Sequence, residues 1–335
     1  MTNIEMPESK KSLDTPVLFL VFNRIDTVKQ VFASIRQARP PRLYIASDGA
    51  RESVTGEQKK VDSVRDYIAS NIDWECDVKT LYRNNNLGCK KAVSSAITWF
   101  FSNEEMGIIL EDDCLPSQSF YWYCEELLEK YKDNKQIMHI AGMTYVEHPS
   151  DMNNYSYHFV RVGGIWGWAS WKRAWDLYEL EMESYPQAKE ENIFDDLFVG
   201  ESAIKKTYIN WFDQAYGNTH TWDFQWTYTK IINNSINIMP AVNLVKNIGH
   251  GTLDATHTLS DDGVYSKMAL KNLDFPLKHP RFIVVDRLFN DMNFRFNVRR
   301  TFKSLFYHSI EFLFPKFLVK HLKILKKSFR KSASI

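Results

Sequence analysis

Continuous apolar runs of strand length alternate with helical periodicity through the first half of the chain. PVLFLVFN (16–23) is apolar at almost every position, the pattern of a strand buried on both faces. A helical pattern runs from Asp26 to about Ala38. RLYIASDG (42–49) predicts a second strand ending in turn chemistry, and a polar helix follows around 57–70. CDVKTLYR (76–83) predicts a third strand, with a helix from Gly88 to Phe101. MGIILEDD (106–113) predicts a fourth, then a helix from about Ser117, a candidate N-cap, to Tyr131. QIMHIAGM (136–143) predicts a fifth strand. Such alternation predicts an α/β fold, a Rossmann-like, mostly parallel central sheet with helices on both faces.

The second half is irregular and rich in Trp and Asn, with helices expected near 170–180, 201–216 and 223–233. Residues 252–268 are small and polar and read as a mobile lid. The tail is different. Residues 299–335 carry ten Lys/Arg against Glu311 alone, a charge of +9; since the whole chain is +1, the remainder is −8. In KFLVKHLKILKKSFRK (316–331), Leu318, Leu322, Leu325 and Phe329 share one helical stripe, with Lys316, Lys320, Lys323, Lys327 and Arg330 opposite. This C-terminal basic amphipathic helix suits an anionic membrane interface. The expected divisions are a flexible 1–14, a strand-helix half 15–150, an irregular half 151–296 and the membrane-associating tail 297–335.

Composition narrows the class. The near-neutral charge argues against a nucleic-acid binder, and no apolar stretch reaches the ~20 residues that span a bilayer. The four cysteines form no CxxC and read as reduced thiols. A polar N-terminus without an apolar signal segment completes the expectation of a cytoplasmic protein, peripheral at the inner face of the membrane.

The chemistry concentrates at strand ends. Ligands of a parallel α/β sheet bind beyond the carboxyl ends of its strands. Three such ends carry polar groups here: Asn23-Arg24, Ser47-Asp48-Gly49 and Glu111-Asp112-Asp113. Side-chain alternation sends Glu111 and Asp113 one way and Asp112 the other. Hard carboxylate oxygens suit Mn²⁺ or Mg²⁺, which bind through one or two carboxylates together with phosphate oxygens. No GxxxxGK[ST] or GxGxxG is present, so a cation must neutralise a diphosphate nearly unaided, the requirement of a nucleoside-diphosphate leaving group. Asp48 is placed to accept hydrogen bonds from a base or ribose, and Arg24 to offset diphosphate charge. The plainer readings are a turn Asp and a surface Arg.

A strand ending FNR, a second ending SDG, an LGCKKAV helix and ILEDD before another helix resemble the motif order of GT-A glycosyltransferases. The resemblance is to the inverting N-acetylglucosaminyltransferase I type and to bacterial surface-polysaccharide transferases, over about residues 15–250. It implies that Asp113 binds the metal, Asp112 the ribose and Glu111 the donor sugar. Arg24 and Asp48 would line the nucleotide pocket, and Asn86, Gly88 and Lys91 would lie near the donor. UDP is the nucleotide the resemblance implies, and a glycan or lipid-linked glycan the acceptor, with 15–150 as the nucleotide-sugar-binding half and 151–296 as the acceptor-binding half.

In GGIWGWASWKRAW (163–175), glycines allow close approach, and Trp166 or Trp168 offers a flat face to a sugar; Trp171 and Trp175 read as core. TWDFQW (221–226) opens a helix with Asp223 in its first turn. Inverting transfer needs a carboxylate base, and the resembling family places an Asp after Trp, so Asp223 is the candidate, with Asp195 and Asp196 as alternatives. In NLVKNIGHG (243–251), His250 stands between two glycines, placed to reach metal or diphosphate. A sugar-1-phosphate nucleotidyltransferase and a non-catalytic glycan- or nucleotide-binding domain are the competing functions. The first normally carries a Gly- and Arg-rich loop where VFNRID stands here.

Overall fold

The computed structural model describes residues 12–149, 154–198, 201–217, 221–249 and 268–296. His250, the 252–267 part of the expected lid, and the amphipathic tail lie outside the described residues. Residues 1–290 form one compact unit and 291–335 a second.

The first unit is α/β around an eight-stranded mixed sheet. Its strands are β1 (Val17–Val21), β2 (Arg42–Ser47), β3 (Asp77–Tyr82), β4 (Met106–Glu111), β6 (Ile137–Ala141), β7 (Tyr157–Val160), β8 (Trp168–Trp171) and β9 (Ile236–Pro240), in the order β3-β2-β1-β4-β8-β6-β9-β7. β5 (Cys114–Pro116) and β10 (Val245–Asn247) form a separate antiparallel pair. β1 is parallel to both β2 and β4, and β2 to β3, as the alternation predicts. Among the described residues, no helix is long and apolar enough to cross a membrane.

The apolar runs are explained by burial on two sides. Val17, Phe19 and Val21 enter one core and Leu18 and Leu20 the other; Leu43 and Ile45 likewise oppose Tyr44 and Ala46, and Ile108 and Leu110 oppose Ile109. α1 (Ile25–Ala38), α2 (Glu57–Asn71) and α4 (Gln118–Lys130) cover the first face through residues such as Phe32, Ile68 and Leu127. α3 (Gly88–Phe101) and α9 (Asp223–Ile232) cover the second with Ile97, Phe100 and Trp226. α9 thereby reaches the same sheet face as α3.

Several expectations are corrected. The helix expected over 170–180 is only α5 (Lys172–Trp175); the residues before it form β8, antiparallel between β4 and β6. β8 is buried at all four positions, Ser170 included, so it lacks the exposed polar alternation that marks a surface strand. Ser117 occupies the N-cap position of α4, yet its hydroxyl bonds Ser119 Oγ at 3.1 Å rather than the helix backbone. Short helices α6 (Tyr185–Glu190) and α7 (Ile193–Leu197) precede α8 (Ser202–Tyr216).

Candidate functional site

The chain lays β2 and β3 on one side of β1, then returns to place β4 on the other. That reversal leaves a crevice at the carboxyl ends of β1 and β4, the place where open α/β sheets bind ligands. Arg24 leaves β1 into this crevice and Asp112 and Asp113 leave β4 into it. The guanidinium forms a tight ion pair with Asp112 through Nη2, with Nε 3.4 Å from the second oxygen, and Nη2 also lies 3.0 Å from Asp113 Oδ2. Burial alone would lower the Arg24 pKa, but the two carboxylates outweigh it and hold the group charged. Burial raises Asp112 from the ordinary carboxylate range, with Arg24 and the Phe22 amide pulling the other way.

The strict strand alternation ends at Glu111, because β4 ends there and the next two residues form a turn. Asp113 therefore joins Asp112 at Arg24 instead of pointing away from it. Glu111 faces the other side. Burial, then the charges of Asp113, Asp112 and Asp223, push its pKa up. Asp223 thus stands close enough to act on Glu111 although it comes from α9, about 110 residues later in the chain. The Thr221 hydroxyl donates a short hydrogen bond to Asp223 Oδ1, fixing the carboxylate before the helix begins.

β10 closes the crevice from a third direction. Its pairing with β5 and the Ile248 N–H to Asp113 carbonyl bond of 2.8 Å press residues 247–249 onto the acidic loop. A Cβ at Gly249 would fall 2.7 Å from Arg24 Nη1 and 2.9 Å from Asp113 Cβ, so a larger residue there would have to displace the ion pair.

The other expected residues divide. Asn23 is buried and donates to Glu57 Oε1 at 2.8 Å; Glu57 also binds Arg51, so Asn23 braces the loop after β1. Asp48 accepts from the amides of Gly49, Leu87 and Gly88 at 3.0–3.1 Å, which makes it the cap joining β2 to the start of α3. Asn86 supports the same junction through Gly49 O at 2.7 Å. Lys91 is exposed on the first turn of α3.

Trp168 is corrected to a core residue. It is fully buried in β8, stacked against His139 at 5.1 Å and Trp222 at 5.9 Å, with no face open to a sugar. Trp166 stays half-buried before Gly167, whose φ of +60° makes the turn into β8. Asp195 pairs with Lys205 at 2.7 Å on the surface, and Asp196 is exposed.

Two participants escaped the sequence reading. Cys89 faces the crevice: burial, then Glu111, Asp223, Asp48 and Asp113, push its thiol up to about 12. Its place in LGCKK was the one available signal. Lys230, wholly buried two turns below Asp223 with its ammonium 3.4 Å from Gly163 O, is pulled down to about 7 by burial, against the charge of Asp223. All four cysteines are free thiols.

A second cluster lies elsewhere. His148 Nε2 and His158 Nδ1 meet Asp286 Oδ2 at 2.9 and 3.1 Å, and the three ligand atoms lie within 4.8 Å of one another. The imidazoles stack face to face at 3.6 Å with 6° between planes. Each ring turns one edge nitrogen toward the same carboxylate oxygen, so the three groups present a ligand set of the kind that can hold a divalent ion. Burial, then the neighbouring His148, lower His158 to about 4. An unfolded His titrates at about 6.5. The unfolded chain therefore binds the extra proton first, and stability falls as pH drops from about 6.5 toward 4. Between pH 7 and 5 this group should cost about 2 kcal/mol of unfolding free energy. Urea titrations of the protein and of His158→Gln check this: equal pH slopes would refute it.

No family model matches the chain, and no curated protein matches it. Among solved structures, the chain is similar to mannosyltransferase PcManGT from Pyrobaculum calidifontis in complex with GDP-Man and Mn²⁺, at TM-score 0.30 and 12% identity over 48% of this chain and 46% of that one. It is similar to a UDP-glucose pyrophosphorylase complexed with UDP-glucose at TM-score 0.29 and 12% identity, over 50% and 79% of the two chains. It is also similar to glycosyltransferase GlyE from Streptococcus pneumoniae TIGR4 at TM-score 0.31 and 10% identity, over 68% and 45%. The matches to the two transferases thus span less than half of each, and likenesses this distant say nothing about the chemistry of the site.

Proposed function

We propose that the protein is an inverting glycosyltransferase that uses a divalent cation and a nucleoside-diphosphate sugar. The observation that carries this reading is the meeting of three distant parts of the chain: Arg24, the Glu111-Asp112-Asp113 run and Asp223. A core strand ending in three acids, with a fourth acid brought to it, is unfavourable without cationic ligands. Asp113, with its oxygen at the mouth of the crevice, fits Mn²⁺ or Mg²⁺, and His250 would be a further ligand. Such an ion, when bound, supplies Lewis-acid stabilisation of the departing diphosphate.

The chain's own groups perform the remaining work. Arg24 holds diphosphate oxygens through its guanidinium fork. Asp112 and Asp48 orient the nucleoside, Asp48 through the α3 junction that it caps, with Asn23 bracing Arg24 and Lys91 at the rim. Glu111, with its raised pKa, hydrogen-bonds the donor sugar. Asp223 accepts the proton of an acceptor hydroxyl as that oxygen bonds to the anomeric carbon and the bond to the diphosphate oxygen breaks on the opposite face. Trp166 offers a face to the acceptor, a glycan or lipid-linked glycan, and the basic tail would bring the enzyme to an anionic cytoplasmic membrane where such acceptors lie.

A thermal-shift screen of nucleoside diphosphates with and without Mn²⁺ tests this. UDP should stabilise the protein by several degrees, only with the ion present, and a UDP-sugar should then be slowly hydrolysed. No metal-dependent stabilisation by any nucleotide would remove the reading. Pyrophosphate release from a nucleoside triphosphate and a sugar 1-phosphate would replace it with the nucleotidyltransferase.

A further inference from the structure

Resting on that reading, we infer that Arg24 is a stand-in for the divalent cation: its guanidinium occupies Asp113 until a nucleoside diphosphate draws it away. The cation and the nucleotide then bind as a coupled pair rather than independently.

The metal-free crevice is already neutralised in part. Arg24 is tied to Asp112 by a two-point contact and to Asp113 Oδ2 at 3.0 Å, and the three side chains are only 20%, 6% and 15% exposed. Glu111 and Asp223 add further negative charge nearby. Without the arginine, four acids would share a shielded crevice, so the pair stabilises the empty fold. Position 249 leaves the pair room, since a Cβ there would meet both Asp113 and Arg24.

The same contact opposes a lone metal ion. A divalent cation on Asp113 must face a guanidinium 3.0 Å from that same oxygen, and two cations on one half-buried carboxylate repel. Relief requires Arg24 to find another anion. A diphosphate supplies it, because the planar guanidinium matches phosphate oxygens as well as it matches carboxylates. Asp112 can stay bonded and serve as the pivot, so only the Asp113 contact has to break. Coupling of this kind is reciprocal: whatever the nucleotide does for the cation, the cation does for the nucleotide.

Arg24→Met removes the stand-in while keeping much of the side-chain volume. Binding of Mn²⁺ alone, followed by the loss of the free-ion paramagnetic resonance signal, should be about tenfold tighter in Arg24→Met than in the wild type, within the usual range of such couplings. Arg24→Lys, which keeps the charge, should stay near wild type. Mn²⁺ without nucleotide should also raise the melting temperature of Arg24→Met more than that of the wild type, a comparison that guards against a poorly folded variant. Equal Mn²⁺ affinity in all three proteins would overturn the stand-in role and leave the transferase reading intact. Absence of Mn²⁺ binding in every protein, with or without UDP, would overturn both.

Discussion

Asp223→Asn should lower sugar transfer by about 10³-fold while leaving Mn²⁺-dependent binding of the nucleotide unchanged, within the 10²–10⁴ span of general-base catalysis. The substitution keeps shape and the hydrogen bond from Thr221 but removes the capacity to take a proton. Asp223 begins α9, and helix interactions stabilise the carboxylate there at most modestly. Folding should therefore survive, and the melting temperature should move little. Glu111 reports on the same change, because one source of the charge that raises its pKa disappears. The acidic limb of any pH–rate profile governed by Glu111 should accordingly move to lower pH. Single-turnover transfer with a radiolabelled donor checks the main effect. Full activity in the variant would remove Asp223 from the mechanism and return attention to the exposed Asp195 and Asp196.

The second large effect belongs to Asp113→Asn. Loss of one anionic ligand should abolish the Mn²⁺-dependent gain in nucleotide binding, reduce donor affinity and slow transfer by about 10²–10³-fold, the scale of losing a principal electrostatic stabiliser of a transition state. The Arg24–Asp112 ion pair is retained, so the empty fold should persist. Ile248 donates to the backbone carbonyl of Asp113, and this bond does not depend on the side chain either. Thermal shift with UDP, with and without Mn²⁺, reads the outcome directly. An undiminished metal-dependent shift would assign the cation to other ligands. Comparing the two variants separates binding from proton transfer: one should fail to hold the donor, the other should hold it and fail to use it.

Much of the first half was legible because its physics is local. A strand covered on both faces must be apolar along its middle, and β1, β2 and β4 announce themselves in that way. Helix periodicity with Gly88 at one start and Glu57 at another placed α3 and α2 to within a residue or so. The polar strand ends were equally visible, since acids after Leu110 have no packing explanation.

What those acids meet was not visible. Strand alternation places Asp113 with Glu111; the turn after β4 instead carries it to Arg24, an outcome set by where the pleat stops. Asp48 resembles a ligand group, yet Leu87 and Gly88 arrive from a loop 40 residues away and turn it into a cap. Trp168 looks like a sugar platform beside its glycines, and only the insertion of β8 between β4 and β6 buries it.

Chain order and hydrophobic period thus determined the parallel half of the sheet and the edge along which chemistry had to lie, because both follow from neighbours a few residues apart. The company of each acid, and the arrival of Asp223 beside Glu111, were decided by nonlocal pairing: α9 shares a sheet face with α3, a fact about packing in space that no spacing along the chain encodes.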